Sequence, residues 1–403
     1  MFSFASTTRK ASATVPRTLG AFRPRGAVGT GGLVTRPAAT VVRGAAGVAA
    51  PGSAFTDRLQ HVRANGEAII CAEGYLFEME RRGWVQIGPF VPEVVLTNPE
   101  AVKNLHREFL RAGSDVMEAF TYYGNRAKLK LIGKEHLLED LNRQALRLAR
   151  EVAEEGDALM AGNVCNTTTF DPSDPATWDD TAAQFEEQCR WAAEEGADYI
   201  IGETFETLAE ANLALEAIRA VNLPAVITFA TTNWASGAAG AGNRHMTHDG
   251  LPIAEACKRL EENGAAVVGL NCTRGPGTML PILDDILTCV SGPVAALPVG
   301  YRTTDDHQTF QELSSKDRTY TDLDPHVCTR YDFDHFTKEC LKRGVAYIGT
   351  CCGGAPHHVR AMAEAMGRSP PATENSPDLS KHFVLGTKEG LGDNAVDHNL
   401  TRG

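Results

Sequence analysis

Val345-Ala346-Tyr347-Ile348-Gly349-Thr350-Cys351-Cys352-Gly353-Gly354-Ala355-Pro356 runs from an apolar stretch through a turn into a helical one. Its first four residues are rich in β-formers, as in a strand buried on both faces. Residues 357–366 read as a helix, with Pro356 in the first turn, where a missing N–H does no harm. Two adjacent cysteines thus stand at the carboxyl end of a buried strand. The two glycines behind them allow a sharp turn and close approach to a bound group. Asn271-Cys272 has the same setting, at the end of the strand-like run 265–270. If both strand ends open on one face of a barrel, three thiolates converge on a zinc site with one position free. Buried cysteines packing as small apolar residues, and a vicinal redox disulfide, are the competing readings. No C-x-x-C pair accompanies Cys272, so spacing alone leaves all three open.

The strand-then-helix unit repeats. Strand-like runs fall at 68–71, 116–122, 158–164, 199–205, 225–231, 267–272, 294–299 and 345–351. Helical runs fall between them, among them 99–112, with Val102, Leu105, Phe109 and Leu110 on one face and Gly113 as its stop. Repeated βα units imply parallel pairing with helical crossovers, and eight of them favour a closed (β/α)8 TIM barrel. An open doubly wound sheet is the alternative, but no Gly-rich phosphate loop follows the first strand. The polar stretch 301–330 is too long for a simple connector and reads as a lid over the barrel face.

The expected domains are a segment at 1–55, the barrel at 56–367 and a polar tail or arm at 368–403. Residues 1–56 hold six Arg, one Lys and no Asp or Glu. That composition cannot build a core but suits an organelle transit peptide, with the mitochondrial matrix as destination and plastid or cytoplasm as alternatives. Without those seven basic residues the formal charge moves from -12 to about -19. So acidic a body speaks against nucleic-acid or anionic-membrane partners, and no apolar run reaches the ~18 residues of a membrane span. Ten cysteines without a tight framework fit a reducing compartment.

A barrel gathers its strand ends around one pocket. Here they carry Glu73, Tyr122, Tyr123, Asn163, Glu203, Thr231, Asn233, Cys272, Cys351 and Cys352. Glu203 suits a substrate ammonium or a plain interior ion pair. Tyr123 and Phe90 suit a cation over their rings or simple packing.

Val268-Gly269-Leu270-Asn271-Cys272 and Gly349-Thr350-Cys351-Cys352-Gly353 resemble the paired zinc motifs of the homocysteine S-methyltransferase family. The stretches 83–93, 104–123 and 329–332 are similar to its betaine-dependent branch, and the likeness covers about residues 58–366. The resemblance implies a Zn²⁺ held by Cys272, Cys351 and Cys352 that binds the homocysteine sulfur. It places Glu203 at a contact to the homocysteine amino group, Tyr123 in the donor site, and Asn271 in a matching position. The implied reaction moves a methyl group from a small onium donor, betaine foremost, to homocysteine. A sulfonium compound, S-methylmethionine or a methyl-corrinoid protein is the alternative donor, and a binding-only homologue the alternative class.

Several letters depart from the family pattern. Ala72-Glu73-Gly74 stands where the family has Asp-Gly-Gly, so Glu73 would have to replace the aspartate from a position that strand alternation aims away. Phe90 replaces a tryptophan and Thr204 a tyrosine. The carboxyl-terminal arm that serves homo-oligomer assembly looks shortened.

Overall fold

The strand that carries the paired cysteines is bonded on one side to its predecessor and on the other to the first strand of the chain, which closes the sheet. The computed structural model describes residues 50–86, 93–231, 245–314, 322–382 and 386. Its strands are β1 (Ile69–Ala72), β2 (Val116–Glu118), β3 (Leu159–Cys165), β4 (Tyr199–Phe205), β5 (Ala225–Phe229), β6 (Val267–Asn271), β7 (Val294–Leu297) and β8 (Tyr347–Thr350). All neighbours pair in parallel, and their order round the barrel is their order in sequence. Outer helices follow the strands, Pro99–Ala112 after β1 and Leu138–Glu155 after β2 as crossovers and Pro356–Ala365 after the last strand β8. This is the expected (β/α)8 TIM barrel.

Two apolar layers follow from strand alternation. Ile70 and Ala72 of β1 pack outward, in the cluster that holds Ile348 and Val359 between sheet and helices. Ile69 and Cys71 pack inward with Val116, Ala161, Tyr199 and Tyr347. Tyr199 and Tyr347 share a hydrogen bond of 2.8 Å across the interior. Because β1 alternates this way, the next inward position is Glu73.

The helix Ser53–Asn65 begins before the expected barrel boundary at residue 56. Phe55, Leu59 and Val62, spaced at four and three residues, are buried in the inner cluster. Phe55 stacks on Tyr199 at 4.0 Å between ring centroids. Tyr199 is the first residue of β4, so the helix covers the amino-terminal mouth of the barrel. The polar residues between these three positions hid the pattern. β2 is also shorter than expected, since Thr121 N–H turns back to the Ala119 carbonyl at 2.8 Å and the chain leaves the sheet. Tyr122 and Tyr123 therefore lie on a loop.

After β7 the chain folds back on itself, with an antiparallel bridge between Tyr301 and Val327 and a short helix Phe310–Leu313. Tyr301 and Phe310 stack on each other and flank Phe77. Beyond Gly367 the chain is anchored: Arg368 pairs with Asp115 at 2.7 Å and Glu67 at 3.2 Å. Short 3-10 turns at Pro371–Asn375 and Leu379–Lys381 follow. No described helix is long and apolar enough to cross a membrane.

Because Phe55 fills the barrel mouth, Phe55→Ala should lower stability by about 3–5 kcal/mol, read from chemical denaturation. A loss below about 1 kcal/mol would show the helix to be a dispensable cover.

Candidate active site

Cys272 follows β6 and Cys351 follows β8, with β7 between them. Both ends are tied to that middle strand: Cys272 N–H bonds the Leu297 carbonyl at 2.9 Å, and Cys351 N–H bonds the Pro298 carbonyl at 2.8 Å. Gly300 N–H in turn bonds the Cys352 carbonyl at 2.8 Å. Glycine is required where these loops cross. A Cβ on Gly300 would sit 2.2 Å from the Gly353 carbonyl oxygen, and one on Gly74 would sit 2.3 Å from that of Cys351. Gly74 and Gly353 also have φ of 84° and 74°.

The three sulfurs lie within 4.8 Å of one another, with Cys272 Sγ and Cys352 Sγ 3.5 Å apart. Three thiolates round one tetrahedral ion at ~2.3 Å would be about 3.8 Å apart, so the cluster can close on a metal with little movement. All ten cysteines are free thiols. Cys272 is held well below the ordinary thiol range by its hydrogen bonds with Cys351 and then Cys352. The hydrogen bond that each of those two makes with Cys272 is the main cause that holds it well above that range.

Beside the sulfurs lies a chain of buried polar groups. Asn271 Nδ2 donates to Glu203 Oε2 at 2.8 Å and to Glu73 Oε2 at 3.4 Å, and lies 3.9 Å from Cys351 Sγ. Its Oδ1 accepts from Thr204 N–H and the Thr228 hydroxyl, both at 2.9 Å, which fixes the direction of the amide. Asn163 Nδ2 donates to Glu203 Oε1 at 2.6 Å and also to Glu118 Oε1. Glu73, Glu118 and Glu203 are all at most 4 % exposed. Burial raises all three carboxyls above the usual range, helped at Glu73 and Glu118 by the charge of Glu203; Glu203 reaches about 7.

The position of Glu73 corrects the alternation argument. It is Ala72 that faces the outer helices, while Glu73 turns into the barrel just past the end of β1. Letter-by-letter resemblance sets Ala72 against the family aspartate, but strand parity makes Glu73 the inward carboxylate.

Glu118, Asn163, Glu203 and the three cysteines open on a cavity of about 960 Å³. Its walls include Phe77, Phe120, Tyr122, Tyr123, Phe170 and Phe310, with Glu118, Asn163, Glu203, Thr204 and the three cysteines. Tyr122 and Tyr123 meet edge to face at 5.2 Å. Lys128, 1 % exposed, reaches in from behind. Its ammonium donates to Cys165 Sγ at 3.0 Å and the Tyr122 carbonyl at 3.1 Å, and lies 4.1 Å from the Tyr122 ring centroid. One face of Tyr122 is thus already occupied by an internal cation.

Of the residues expected at the site, the structure gathers Glu73, Asn163, Glu203, Asn271 and the three cysteines, with Tyr122 and Tyr123 on the cavity wall. Thr231 serves elsewhere, accepting from the buried Arg274 at 2.6 Å. Phe90 and Asn233 lie outside the described residues. Within the similar stretch 329–332, Thr329 and Asp332 form a capping box on the helix Arg330–Lys342. Glu118 and Lys128 were missed by the sequence reading. An inward-parity acid at the end of β2 is the signal that would have found the first.

A closed parallel barrel with thiols and carboxylates converging at its carboxyl-terminal face defines a barrel enzyme with a candidate thiolate metal centre. The chain belongs to the homocysteine S-methyltransferase family, whose model matches residues 73–366. Betaine–homocysteine S-methyltransferase 1 of Mus musculus is 35% identical over 337 residues, covering 80% of this chain and 79% of that protein. The S-methylmethionine–homocysteine S-methyltransferase BHMT2 of Pongo abelii is 35% identical over 335 residues, covering 80% and 86%. The metallated crystal form of the homocysteine methyltransferase MmuM from Escherichia coli shares the fold, at a TM-score of 0.58 and 17% identity over 78% of this chain and 99% of that one. The chain is a methyltransferase of this family, acting on small molecules.

Since Ala72 packs in the apolar outer layer, Ala72→Asp should cost about 3 kcal/mol or more in stability by denaturant titration. A variant as stable as the parent would show that position 72 faces the pocket after all.

Proposed function

We propose that this methyltransferase is zinc-dependent and moves a methyl group from a small onium donor, glycine betaine, to homocysteine, giving methionine. The observation that carries the reading is the convergence of three thiols and a buried carboxylate cluster in one cavity. A thiol acceptor that bears an ammonium needs both. Cys272, Cys351 and Cys352 would hold the ion, since an all-thiolate set in tetrahedral arrangement suits zinc and leaves one position for substrate. When bound, zinc supplies a Lewis acid that lets a thiol lose its proton near neutral pH.

The chain's own part is binding and alignment. Glu203 and Glu73, held on either side of the Asn271 amide, take the acceptor's ammonium, because a charge unpaired in so dry a place is costly. The aromatic wall, Tyr123 foremost, turns π faces toward the donor's cation and keeps water out. A carbon–sulfur bond then forms as the donor's methyl–nitrogen bond breaks, and the electron pair leaves with nitrogen. No side-chain base is needed in that step.

S-methylmethionine is the second donor. Thr204, in place of a tyrosine, takes an aromatic ring from the wall, and the relative named for that donor is as similar as the one named for betaine. A binding-only homologue would be favoured by an acceptor site without a carboxylate at the end of β1, and Glu73 supplies an inward carboxylate there.

Purified protein should carry about one Zn²⁺ per chain, and Cys272→Ala, Cys351→Ala and Cys352→Ala should each lose most of it. Full metal content in all three variants would overturn the zinc centre. Glu203→Gln should raise the KM for homocysteine by roughly 30-fold or more, the cost of leaving a buried charge unpaired. A panel of onium donors assayed for methionine settles the donor, and no methionine with any of them would refute the proposal.

We further infer, from their basic and acid-free composition, that residues 1 to about 50, which precede the helix Ser53–Asn65, form a transit segment for the mitochondrial matrix. Fused to a reporter, they should carry it into mitochondria and be cleaved there. A cytosolic reporter would overturn the inference.

A further inference from the structure

Glu118 has no part in the acceptor contacts assigned above, yet it lines the same cavity. One amide nitrogen, Asn163 Nδ2, serves both Glu118 Oε1 and Glu203 Oε1. A second, Asn271 Nδ2, serves both Glu203 Oε2 and Glu73 Oε2. Glu73 and Glu118 then approach each other beside Cys71, with carboxylate oxygens and sulfur all within 4.8 Å. The result is a ring of three carboxylates spaced by two amides. The amides satisfy oxygens by hydrogen bonds but neutralise no charge. Among the described residues no Lys, Arg or His forms an ion pair with any of the three. Glu73 Oε1 is buried without any hydrogen-bond partner, so the ring lacks a donor at a defined atom.

We propose that Glu118 is a specificity-determining residue for the acceptor: with Glu73 and Glu203 it closes a cage that holds one ammonium group and discriminates against thiols that lack one. The inference rests on homocysteine as acceptor and deepens that reading. An ammonium carries three N–H donors and no acceptor, and three carboxylates give each donor a charged partner. The cage opens toward the thiol site, since oxygens of Glu73 and Glu203 lie within 4.8 Å of Cys351 Sγ. Thiol and ammonium of one short amino acid can therefore be held together. The fixed amides also select against a hard inorganic cation. Such an ion needs six or more oxygen ligands, and both asparagines aim their NH₂ groups at the ring. A site built to pair an ammonium rejects an analogue without it strongly, because its own charges are then left unpaired.

The test is titration calorimetry of zinc-loaded protein with homocysteine and with 4-sulfanylbutanoate, its analogue without the amino group. Glu118→Gln keeps the side-chain length and an oxygen for Asn163. It should weaken homocysteine binding roughly 10- to 100-fold and leave the analogue's affinity within about twofold. Equal weakening of both ligands would reduce Glu118 to a structural residue and overturn the proposal, as would unchanged homocysteine binding. A second metal equivalent in the parent protein that vanishes in Glu118→Gln would also overturn it, by making the ring a metal site. Because the readout is binding, a parent protein that binds homocysteine with this discrimination but forms no methionine defeats the transfer reaction and leaves the cage standing.

Discussion

Two backbone hydrogen bonds to β7 decide where the sulfurs can be. Adjacent parallel strands lie ~4.8 Å apart, so the ends of β6 and β8 are separated by about twice that distance across the strand between them. Cys272 and Cys351 each bond a carbonyl at the end of β7, at Leu297 and Pro298. Their side chains then lean over the strand end from opposite sides, and Cys352 follows from the turn. The barrel's shear and the glycines at 74, 300 and 353 serve this arrangement, because any Cβ there would push the loops apart.

Strain appears where it lets neighbours share a target. Consecutive strand residues point to opposite faces, so Asn271 and Cys272 could not both reach the pocket from an undistorted strand. Cys272 adopts a φ of 57° and Thr273 one of 54°, a conformation uncommon outside glycine and asparagine. Thr204 does the same on β4, at 61°. Its backbone N–H thereby meets Asn271 Oδ1, and its hydroxyl reaches Glu203 Oε2 at 3.1 Å. These left-handed residues lie at the strand ends around one amide, and the bonds to Asn271 hold Thr204 in place.

Reading the chain as letters recovered the βα repeat, the barrel and the three cysteines, because each is a local signal: apolar runs, helical periodicity, a doubled cysteine before glycines. What it missed depends on parity and on long-range packing. Glu118 looked like one polar letter in a strand, and only the alternation from Val116 shows that it faces inward. The same counting along Ile69 and Cys71 aims Glu73 into the interior, where the sequence reading had strand alternation turn it away. Phe55, Leu59 and Val62 were hidden in a polar-looking helix whose function is to plug the barrel mouth. Lys128 could not be read at all, since its partners Tyr122 and Cys165 meet it only in the folded chain.

The interior chemistry is governed by acidic groups that pair with no basic side chain among the described residues. Two buried carboxylates, Glu118 and Glu203, and three thiols line one cavity, with Glu73 buried beside them, and Lys128 answers with a single ammonium that bonds a sulfur and a carbonyl rather than a carboxylate. A pocket of that kind is unfavourable alone, which is why burial raises each carboxyl above its ordinary range. It becomes favourable when cations enter, and the two ends of the cavity call for different ones. At the sulfur end, soft donors suit a soft metal. At the carboxylate end, oxygens separated by fixed N–H groups suit a donor-rich organic cation. Asn271 belongs to both ends, bonding Glu203 and lying 3.9 Å from Cys351 Sγ. One buried amide, whose orientation Thr204 and Thr228 fix, thus borders both ends.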